Sequence, residues 1–439
     1  MVERKRETFS GKLGFILSCL GSAIGLGNIW MFPWRLGKYG GAAFLIPYFI
    51  CVFTLGVTGL IGEFAFGRSR QGGSLKGIKE VFKEKNLRFG KFFAVMPTLA
   101  VSGILIFYTI VVGWVLRYFC ASLKGNLNSV DIPKYFNNFA GTSQSIGWHF
   151  LAMVIGVVIV ILGVAKGIER INKIIMPSLF IIFVILMIRS LTLSGAMEGV
   201  KYLLVPDWSY LFKPMTWIMA LGQAFFTVSL NGAGMVVYGS YLKKDVDIIS
   251  SSINVAIFDT ISALLASLII IPAAFAFGLD PAAGPSLLFI TMPFIFKSMP
   301  LGYIFSILFF ISIVFAAISS AINMLEASSE AFISQFKMRR VKSVVIIGVI
   351  AFIIGIPLDV DMAKFGAWAD FITIYLAPIG AIIASIAFFW IYGADRALKD
   401  INEGSKKPLG KWFKPVAKYL YTFSIVIVLI LGIIYNGIG

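Results

Sequence analysis

The stretch Gly21-Ser22-Ala23-Ile24-Gly25-Leu26-Gly27-Asn28 decides the fold, because it interrupts an apolar run that extends from about residue 13 to residue 37. Glycines and an asparagine in the middle of a bilayer segment lower helix propensity, and the backbone is expected to open there. Gly21 and Gly25 also form a GxxxG pattern, which is equally typical of a close helix crossing. This stretch alone therefore predicts either a broken membrane helix or a tightly packed one.

The composition around this stretch is that of a membrane protein. Hydrophobic residues make up 59% and charged residues 13% of the 439 residues, against about 25% charged in an ordinary globular protein, and the mean hydropathy is +0.90. A soluble core of this size would leave too little polar sequence to cover its outside. The single histidine, His149, and the three cysteines are scattered. They predict no metal cluster, no disulfide framework and no enzymatic activity.

Apolar runs recur along the whole chain, and eleven of them are long enough for a bilayer span of about 20 residues. We therefore expect an all-α membrane protein with eleven transmembrane helices. The predicted spans lie near residues 13–37, 42–67, 92–121, 148–165, 174–194, 215–241, 248–278, 300–334, 343–358, 367–394 and 416–436.

The positive charge of the chain indicates its topology. Lys and Arg number 38 against 21 Asp and Glu, a net charge of +17. If the N-terminus is cytoplasmic, most of these cations fall in cytoplasmic loops, as the positive-inside rule requires. An odd number of spans then places the C-terminus outside a cell (plasma) membrane. The expected partner of the charge is the anionic leaflet of the lipid bilayer, and nucleic acid is not expected.

The sixth predicted span contains a second interruption, Thr227-Val228-Ser229-Leu230-Asn231-Gly232-Ala233-Gly234. It falls in the first span of a second five-helix unit, as the first interruption does in the first unit. Paired interruptions of this kind indicate a transporter with two inverted repeats, broken helices 1 and 6, and a site at the bilayer midplane. The predicted organisation is a cytoplasmic segment 1–12, a first repeat 13–194, an external loop 195–214, a second repeat 215–394, and a basic cytoplasmic loop with the eleventh helix at 395–439.

The stretch from Gly21 to Pro33, followed by Gly40 to Phe44, resembles the first-helix signature of the neurotransmitter:sodium symporter family. The absence of a twelfth helix is similar to its prokaryotic, eleven-helix members. Further similarity covers nearly the whole chain, at Gly62 to Arg68, Tyr108, Trp114, Gly222 to Ser229, Ser319-Ser320 and Trp390 to Asp395.

Sodium prefers several hard oxygen ligands, and an unwound membrane helix supplies free carbonyls for that purpose. The resemblance implies two sodium sites. The first takes the carbonyl of Ala23 with the side chains of Asn28, Thr227 and Asp259. The second takes the carbonyls of Gly21, Ile24 and Ala316 with the hydroxyls of Ser319 and Ser320. For any one hydroxyl, a bond to its own helix is the simpler explanation.

An amino-acid substrate brings a carboxylate, which amide groups at a half-helix N-terminus bind well. Gly25 stands where monoamine-carrying relatives have aspartate, which predicts a substrate with its own carboxylate. The resemblance implies a carboxylate site at Ala23, Gly25, Leu26, Gly27 and Tyr108, and an amine site at Phe226, Thr227 and Ser229. It implies a side-chain pocket at Ile104, Phe226, Gly232, Ser320 and Met324. Gly232 is expected to leave room for a large apolar or aromatic side chain.

The resemblance also implies gates and one structural acid. Arg6 matches the cytoplasmic gate arginine, but its expected acidic partner falls near Ser334. At the external gate the arginine position is Met31, so Arg35 with Asp370 is the candidate replacement. The resemblance further implies that Tyr108 and Phe226 form an aromatic lid, and that Glu63 braces the unwound helices.

Two further carboxylates, Glu326 and Glu330, lie one helical turn apart in predicted span 8. They leave two interpretations open, a water-lined cytoplasmic path or packing against basic residues.

The residues and the resemblance together predict a sodium-coupled symporter of neutral amino acids that works by alternating access. Helices 1, 2, 6 and 7 are expected to move against helices 3, 4, 8 and 9. We expect no chloride requirement, because Asp259 stands where relatives have asparagine and supplies the negative charge; an Asp259 bonded only to neighbouring hydroxyls is the alternative. A membrane receptor that binds the amino acid without moving it is the second hypothesis, and a channel is disfavoured because the polar residues cluster.

Overall fold

The computed structural model describes residues 6–280 and 287–438, and within them every regular element is a helix. Residues 1–5 of the predicted cytoplasmic segment and Gly439 therefore lie outside the description. Helical segments occupy all eleven predicted positions. In chain order they are α1 (Lys12–Ala23 and Gly27–Lys38), α2 (Ala42–Arg70), α3 (Gly90–Leu123), α4 (Gln144–Ile161), α5 (Val164–Leu191), α6 (Pro214–Thr227 and Gly234–Gly239), α7 (Ile248–Ala276), α8 (Gly302–Phe336), α9 (Arg340–Asp359), α10 (Met362–Asn402) and α11 (Phe413–Ile434).

Nine of these helices, in the part of the chain that the structure describes, are long and apolar enough to cross a bilayer unaided. The two halves of α1 bend by 57° and add a tenth span if they are counted together. The halves of α6 are too short to pass the same test, so the predicted number of eleven is not fully met by length and composition. The predicted fold class, an all-α membrane protein with helices 1 and 6 broken, is confirmed.

Local backbone conformation explains the two breaks. The first half of α1 ends at Ala23, and Ile24 follows it in an extended conformation with φ −73° and ψ 94°. In α6 the chain leaves helical geometry after Thr227 and passes through Ser229 with φ +58°. The Asn231 side-chain oxygen then accepts hydrogen bonds of 3.0 Å from the N–H groups of Ala233 and Gly234 and so caps the second half of α6.

Helix packing brings the broken segments together. The first half of α1 packs against α5, α7 and α8, while α8 also packs against α3 and α5. Within α2, the segment Ala42–Cys51 packs against the first half of α6, and the segment Val57–Arg70 packs against the second half. As a result, the break in α1 faces α8 on one side and α7 on another, which concentrates freed backbone groups in the centre of the bundle.

A polar network with no sequence-based prediction joins α3, α4 and α9. His149 Nδ1 lies 2.7 Å from Asp359 Oδ2, and both side chains are fully buried. Ser145 donates to the other carboxylate oxygen at 2.7 Å and accepts from Trp114 Nε1 at 2.9 Å. Thr109 Oγ1 lies 3.1 Å from the second ring nitrogen of His149. Because each buried polar group has a partner here, the network fixes three helices against one another.

Candidate functional site

The first cluster of oxygen atoms centres on Asp259 of α7. Asn28 Nδ2 donates to Asp259 Oδ1 at 2.7 Å, and the Thr227 hydroxyl donates to Oδ2 at 2.8 Å. The side-chain oxygen of Asn28 lies 3.5 Å from the Thr227 hydroxyl. All three residues are at most 1% exposed. Three of the four predicted ligands of sodium site 1 thus meet, and the fourth, Ala23, is the last residue before the break in α1.

The charge of Asp259 makes this cluster suited to a cation. Its side-chain hydrogen bonds come from the neutral groups of Asn28 and Thr227. Within residues 6–280 and 287–438, no Lys, Arg or His side chain forms an ion pair with it. An ionised carboxylate buried at this depth needs a positive partner or several donors. The donor set of carboxylate, amide and hydroxyl therefore fits sodium as a transported ion.

Sequence reasoning missed Ser262 in this cluster. Its hydroxyl accepts from Asn28 Nδ2 at 3.1 Å and donates to the Asp259 carbonyl at 2.7 Å. Ser262 lies three residues after Asp259 and hence on the same face of α7. The three-residue spacing from Asp259 is the sequence feature that could have predicted a role for Ser262.

The second cluster surrounds the break in α1. The Ser320 hydroxyl lies 3.2 Å from the carbonyl oxygens of both Gly21 and Ser22, and 3.5 Å from that of Ile24. The Ser319 hydroxyl instead donates to the Ala316 carbonyl of its own helix at 2.9 Å. All five predicted members of sodium site 2 are therefore in this region, but only Ser320 reaches across from α8 to α1 with its side chain.

The predicted carboxylate site of the substrate lies beside this second cluster. The Leu26 N–H donates to the Tyr108 hydroxyl at 3.3 Å. A Cβ atom at Gly25 would lie 2.9 Å from both the Tyr108 and the Ser320 hydroxyl oxygens, and one at Gly27 would lie 3.7 Å from the Phe226 ring. Any side chain at residue 25 would thus occupy the space between these hydroxyls. The absence of a side chain at Gly25 is what allows both hydroxyls to approach the backbone here.

A cavity of about 70 Å³ adjoins these residues. Four of the predicted substrate residues line it, namely Ile104, Phe226, Ser229 and Met324. The Ser229 hydroxyl also donates to the Ser22 carbonyl at 3.0 Å, which ties the break in α6 to the break in α1. Ser22 had no predicted role.

Gly232 is not among the residues that line this cavity, and its surroundings do not support the prediction that it leaves room for a large substrate side chain. Its φ of +75° is a conformation that favours glycine, and an added Cβ would overlap the Gly380 carbonyl and lie 3.0 Å from the Ala384 Cβ. Its N–H donates to Glu63 Oε1 at 2.9 Å, and its carbonyl accepts from the Ser74 hydroxyl. Gly232 therefore allows the backbone of α6 to adopt the conformation of the break, and Glu63 binds that backbone directly.

The proposed external gate does not form between Arg35 and Asp370. Arg35 is 4% exposed and donates to the Gln223 side chain at 2.9 Å. Asp370 is exposed at the end of the helical segment Met362–Asp370. The predicted pairing of Arg35 with Asp370 is therefore wrong, because the buried guanidinium of Arg35 binds Gln223 of α6 instead.

At the opposite end of α1, Arg6 has an acidic partner in α8, one helical turn before Ser334. Arg6 Nη2 lies 3.1 Å from Glu330 Oε1, and Arg6 Nε donates to the Ser240 carbonyl at 3.1 Å. The resemblance places the acidic position near Ser334, which carries no charge, and Glu330 on the preceding turn pairs with Arg6 instead. Sequence reasoning had noticed Glu330 without linking it to Arg6.

Glu326, one turn earlier in α8, is also paired. Its carboxylate lies 2.5 Å from Arg340 Nη2, and the Tyr241 hydroxyl donates to it at 2.5 Å. Of the two interpretations that the sequence left open for Glu326 and Glu330, packing against basic residues is the one that these contacts support.

The fold and the site define a membrane transporter in which two broken helices face each other across buried oxygen clusters. The sequence matches the sodium:neurotransmitter symporter family over residues 6–144 and 140–437. The chain belongs to that family, as the motifs predicted.

Individual relatives agree with this assignment. The chain is 36% identical to the uncharacterized sodium-dependent transporter YhdH of Bacillus subtilis, over 100% of this chain and 99% of the relative. It is 26% identical to the sodium- and chloride-dependent GABA transporter 2 of Rattus norvegicus, over 95% of this chain and 78% of that protein. Among solved structures, MhsT in complex with L-phenylalanine matches with a TM-score of 0.87 and 35% identity, over 97% of this chain and 99% of that one.

Proposed function

We propose that the protein is a sodium-coupled symporter that moves a neutral amino acid by alternating access, with two sodium sites. The observation that carries the proposal is Asp259, a fully buried carboxylate whose partners Asn28 and Thr227 are neutral. A transported cation is the charge that this arrangement lacks. The second cluster, around Ser320 and the break in α1, supports a second site.

A substrate with its own carboxylate is supported by the absence of an acidic side chain at Gly25. A carboxylate beside Gly25 would meet the Tyr108 and Ser320 hydroxyls and the N–H groups that begin the second half of α1. The apolar side chains of Ile104, Phe226 and Met324 favour a large apolar or aromatic substrate side chain. The phenylalanine bound to MhsT in the similar structure points the same way.

Sodium-driven uptake into proteoliposomes tests the proposal. An inward sodium gradient should drive accumulation of labelled phenylalanine or leucine, and potassium or choline in place of sodium should abolish it. Replacing chloride by gluconate should leave uptake unchanged, because Asp259 supplies the negative charge of the first site. Equal uptake in sodium and choline would contradict the proposal. Sodium-dependent binding without accumulation would favour the receptor hypothesis instead.

A further inference from the structure

The chain turns back onto the bundle directly after α11. Asn436 and Gly437 have φ values of +51° and +108°, and the Gly437 N–H bonds to the Gly432 carbonyl at 2.8 Å. This is the hydrogen-bond pattern of a Schellman C-cap, in which a left-handed residue reverses the backbone. Residues 435–438, called the return segment below, consequently run back along α11. They bring Ile438 to 2% exposure.

The return segment lies against α6 and α10. A Cβ atom at Gly222 would overlap the Ile438 carbonyl and would lie 2.9 Å from the Ile438 Cγ1. A Cβ atom at Gly437 would lie 3.7 Å from the Ile374 Cδ1 of α10. Gly222 belongs to the motif that resembles the family, yet it touches neither oxygen cluster. The close approach of the return segment explains why a residue without a side chain is needed at position 222.

The cavity beside the predicted substrate residues is also lined by the return segment. Ile104, Phe226 and Met324 line it together with Gly437 and Ile438. Because protein interiors are close-packed, the positions of these lining residues decide which substrate side chain fits.

We propose that Gly437 and Ile438 form a wall of the substrate pocket and limit the size of the substrate side chain. The inference rests on the proposed function, since it deepens the account of the same site. The competing explanation is a cap that stabilises α11 and has no influence on selectivity. The two explanations differ in whether shortening Ile438 changes the order of substrate affinities.

Competition binding measures that order. Alanine, leucine, phenylalanine and tryptophan compete with one labelled amino acid in sodium buffer, on the full chain and on Ile438→Ala. We expect Ile438→Ala to shift the affinity ratio of tryptophan to alanine at least about fivefold toward tryptophan, and Ile438→Trp to shift it the other way. Ile434→Ala is the matched control, because Ile434 is 62% exposed at the end of α11. An Ile438→Ala profile equal to that of Ile434→Ala would overturn the proposal.

The position of the wall has a second readout that needs no substrate. In a chain whose Cys19, Cys51 and Cys120 are replaced by alanine, a cysteine introduced by Ile438→Cys should react with maleimide at least about tenfold more slowly than one introduced by Ile434→Cys. Adding Gly222→Ala should expel the return segment and restore fast labelling. Fast labelling of Ile438→Cys without Gly222→Ala would also refute the wall. If the protein bound no amino acid at all, the proposed function would fail, while this labelling test would still report whether residue 438 is buried against α6.

Discussion

The carboxylate of Asp259 connects the two broken helices of the site. It holds Asn28 of the second half of α1 and Thr227 of the first half of α6. Each of these residues lies next to a break, so the charge on Asp259 acts on both broken helices at once. A cation at this position would order all three side chains.

Asp259→Asn should raise the sodium concentration for half-maximal substrate binding at least about tenfold. The substitution removes the only negative charge among the side chains of the cluster, and tenfold corresponds to about 1.4 kcal/mol. Sodium titration of labelled substrate binding measures the effect. Asp245→Asn, in an exposed loop, is the control and should leave the titration unchanged. A sodium dependence that survives Asp259→Asn intact would contradict the assignment of site 1.

The adjacent serines of α8 give a second comparison at this scale. Ser320→Ala removes the hydroxyl that meets the carbonyls of Gly21 and Ser22, and we expect it to weaken sodium-dependent binding about tenfold with the fold intact. Ser267→Ala is the control, because that hydroxyl bonds only within α7, to the Ala263 carbonyl. Circular dichroism checks the fold in both variants. Equal sodium titrations for the two variants would contradict a cation site at Ser320.

At the scale of elements, the interrupted helix α6 is held open by contacts from outside it. Glu63 of α2 accepts from the Gly232 N–H, and the Asn231 side chain caps the half-helix that follows. Ser74 donates to the Gly232 carbonyl. Groups that a continuous helix would have paired internally are thus paired with side chains, which makes the break a stable structure.

Gly232→Ala should therefore lower stability and leave substrate selectivity unchanged. The positive φ and the nearby Gly380 carbonyl make the added methyl group cost about 1 to 3 kcal/mol. Thermal unfolding in detergent should show a lower Tm. Gly366→Ala, where an added Cβ meets nothing within 4 Å, should not. A changed order of substrate affinities in a stable Gly232→Ala protein would restore the original pocket assignment.

The positions of the helices and both breaks could be predicted from the sequence, because apolar runs and their interruptions are local features. Asn28, Thr227 and Asp259 of the first cluster could be named through the family resemblance, whereas Ser262 was not. Contacts that depend on how each helix is rotated about its axis could not be predicted from the sequence. Glu330 rather than residue 334 meets Arg6 because the two elements approach at one particular turn. The resemblance placed Gly232 in the substrate pocket. Its positive φ and its contact with the Gly380 carbonyl depend on how α6 packs against α10, which the sequence does not show.

For the whole molecule, arginines close the end of the bundle where α1 begins. Arg6 binds Glu330 of α8 and the Ser240 carbonyl just after α6, while Arg340 of α9 binds Glu326. These contacts tie the start of the chain to helices on both sides of the proposed moving interface. In the proposed alternating-access cycle, opening of this end breaks the Arg6 contacts, so these contacts contribute to the conformational equilibrium.

Arg6→Ala should shift that equilibrium toward opening. Loss of the pair leaves Glu330, whose side chain is 3% exposed, without its cation. Hydrogen exchange over Lys12–Ala23 should then become at least about fivefold faster, and sodium with substrate should slow it again. Arg70→Ala is the control, because its partner Glu84 is 45% exposed. Unchanged exchange in Arg6→Ala would show that the pair does not hold this end closed.

The break in α1 has a consequence for how the protein tolerates change. The Ser320 hydroxyl meets peptide oxygens of Gly21 and Ser22, and the predicted carboxylate site uses peptide N–H groups. Every amino acid except proline carries both groups, so many substitutions leave this part of the chemistry in place as long as the main chain keeps its path. Alanine substitutions at Ser22, Ile24 and Leu26 would therefore leave these main-chain groups in place. Swapping single peptide bonds for esters, which deletes one N–H and weakens one carbonyl, is the perturbation that addresses these atoms directly.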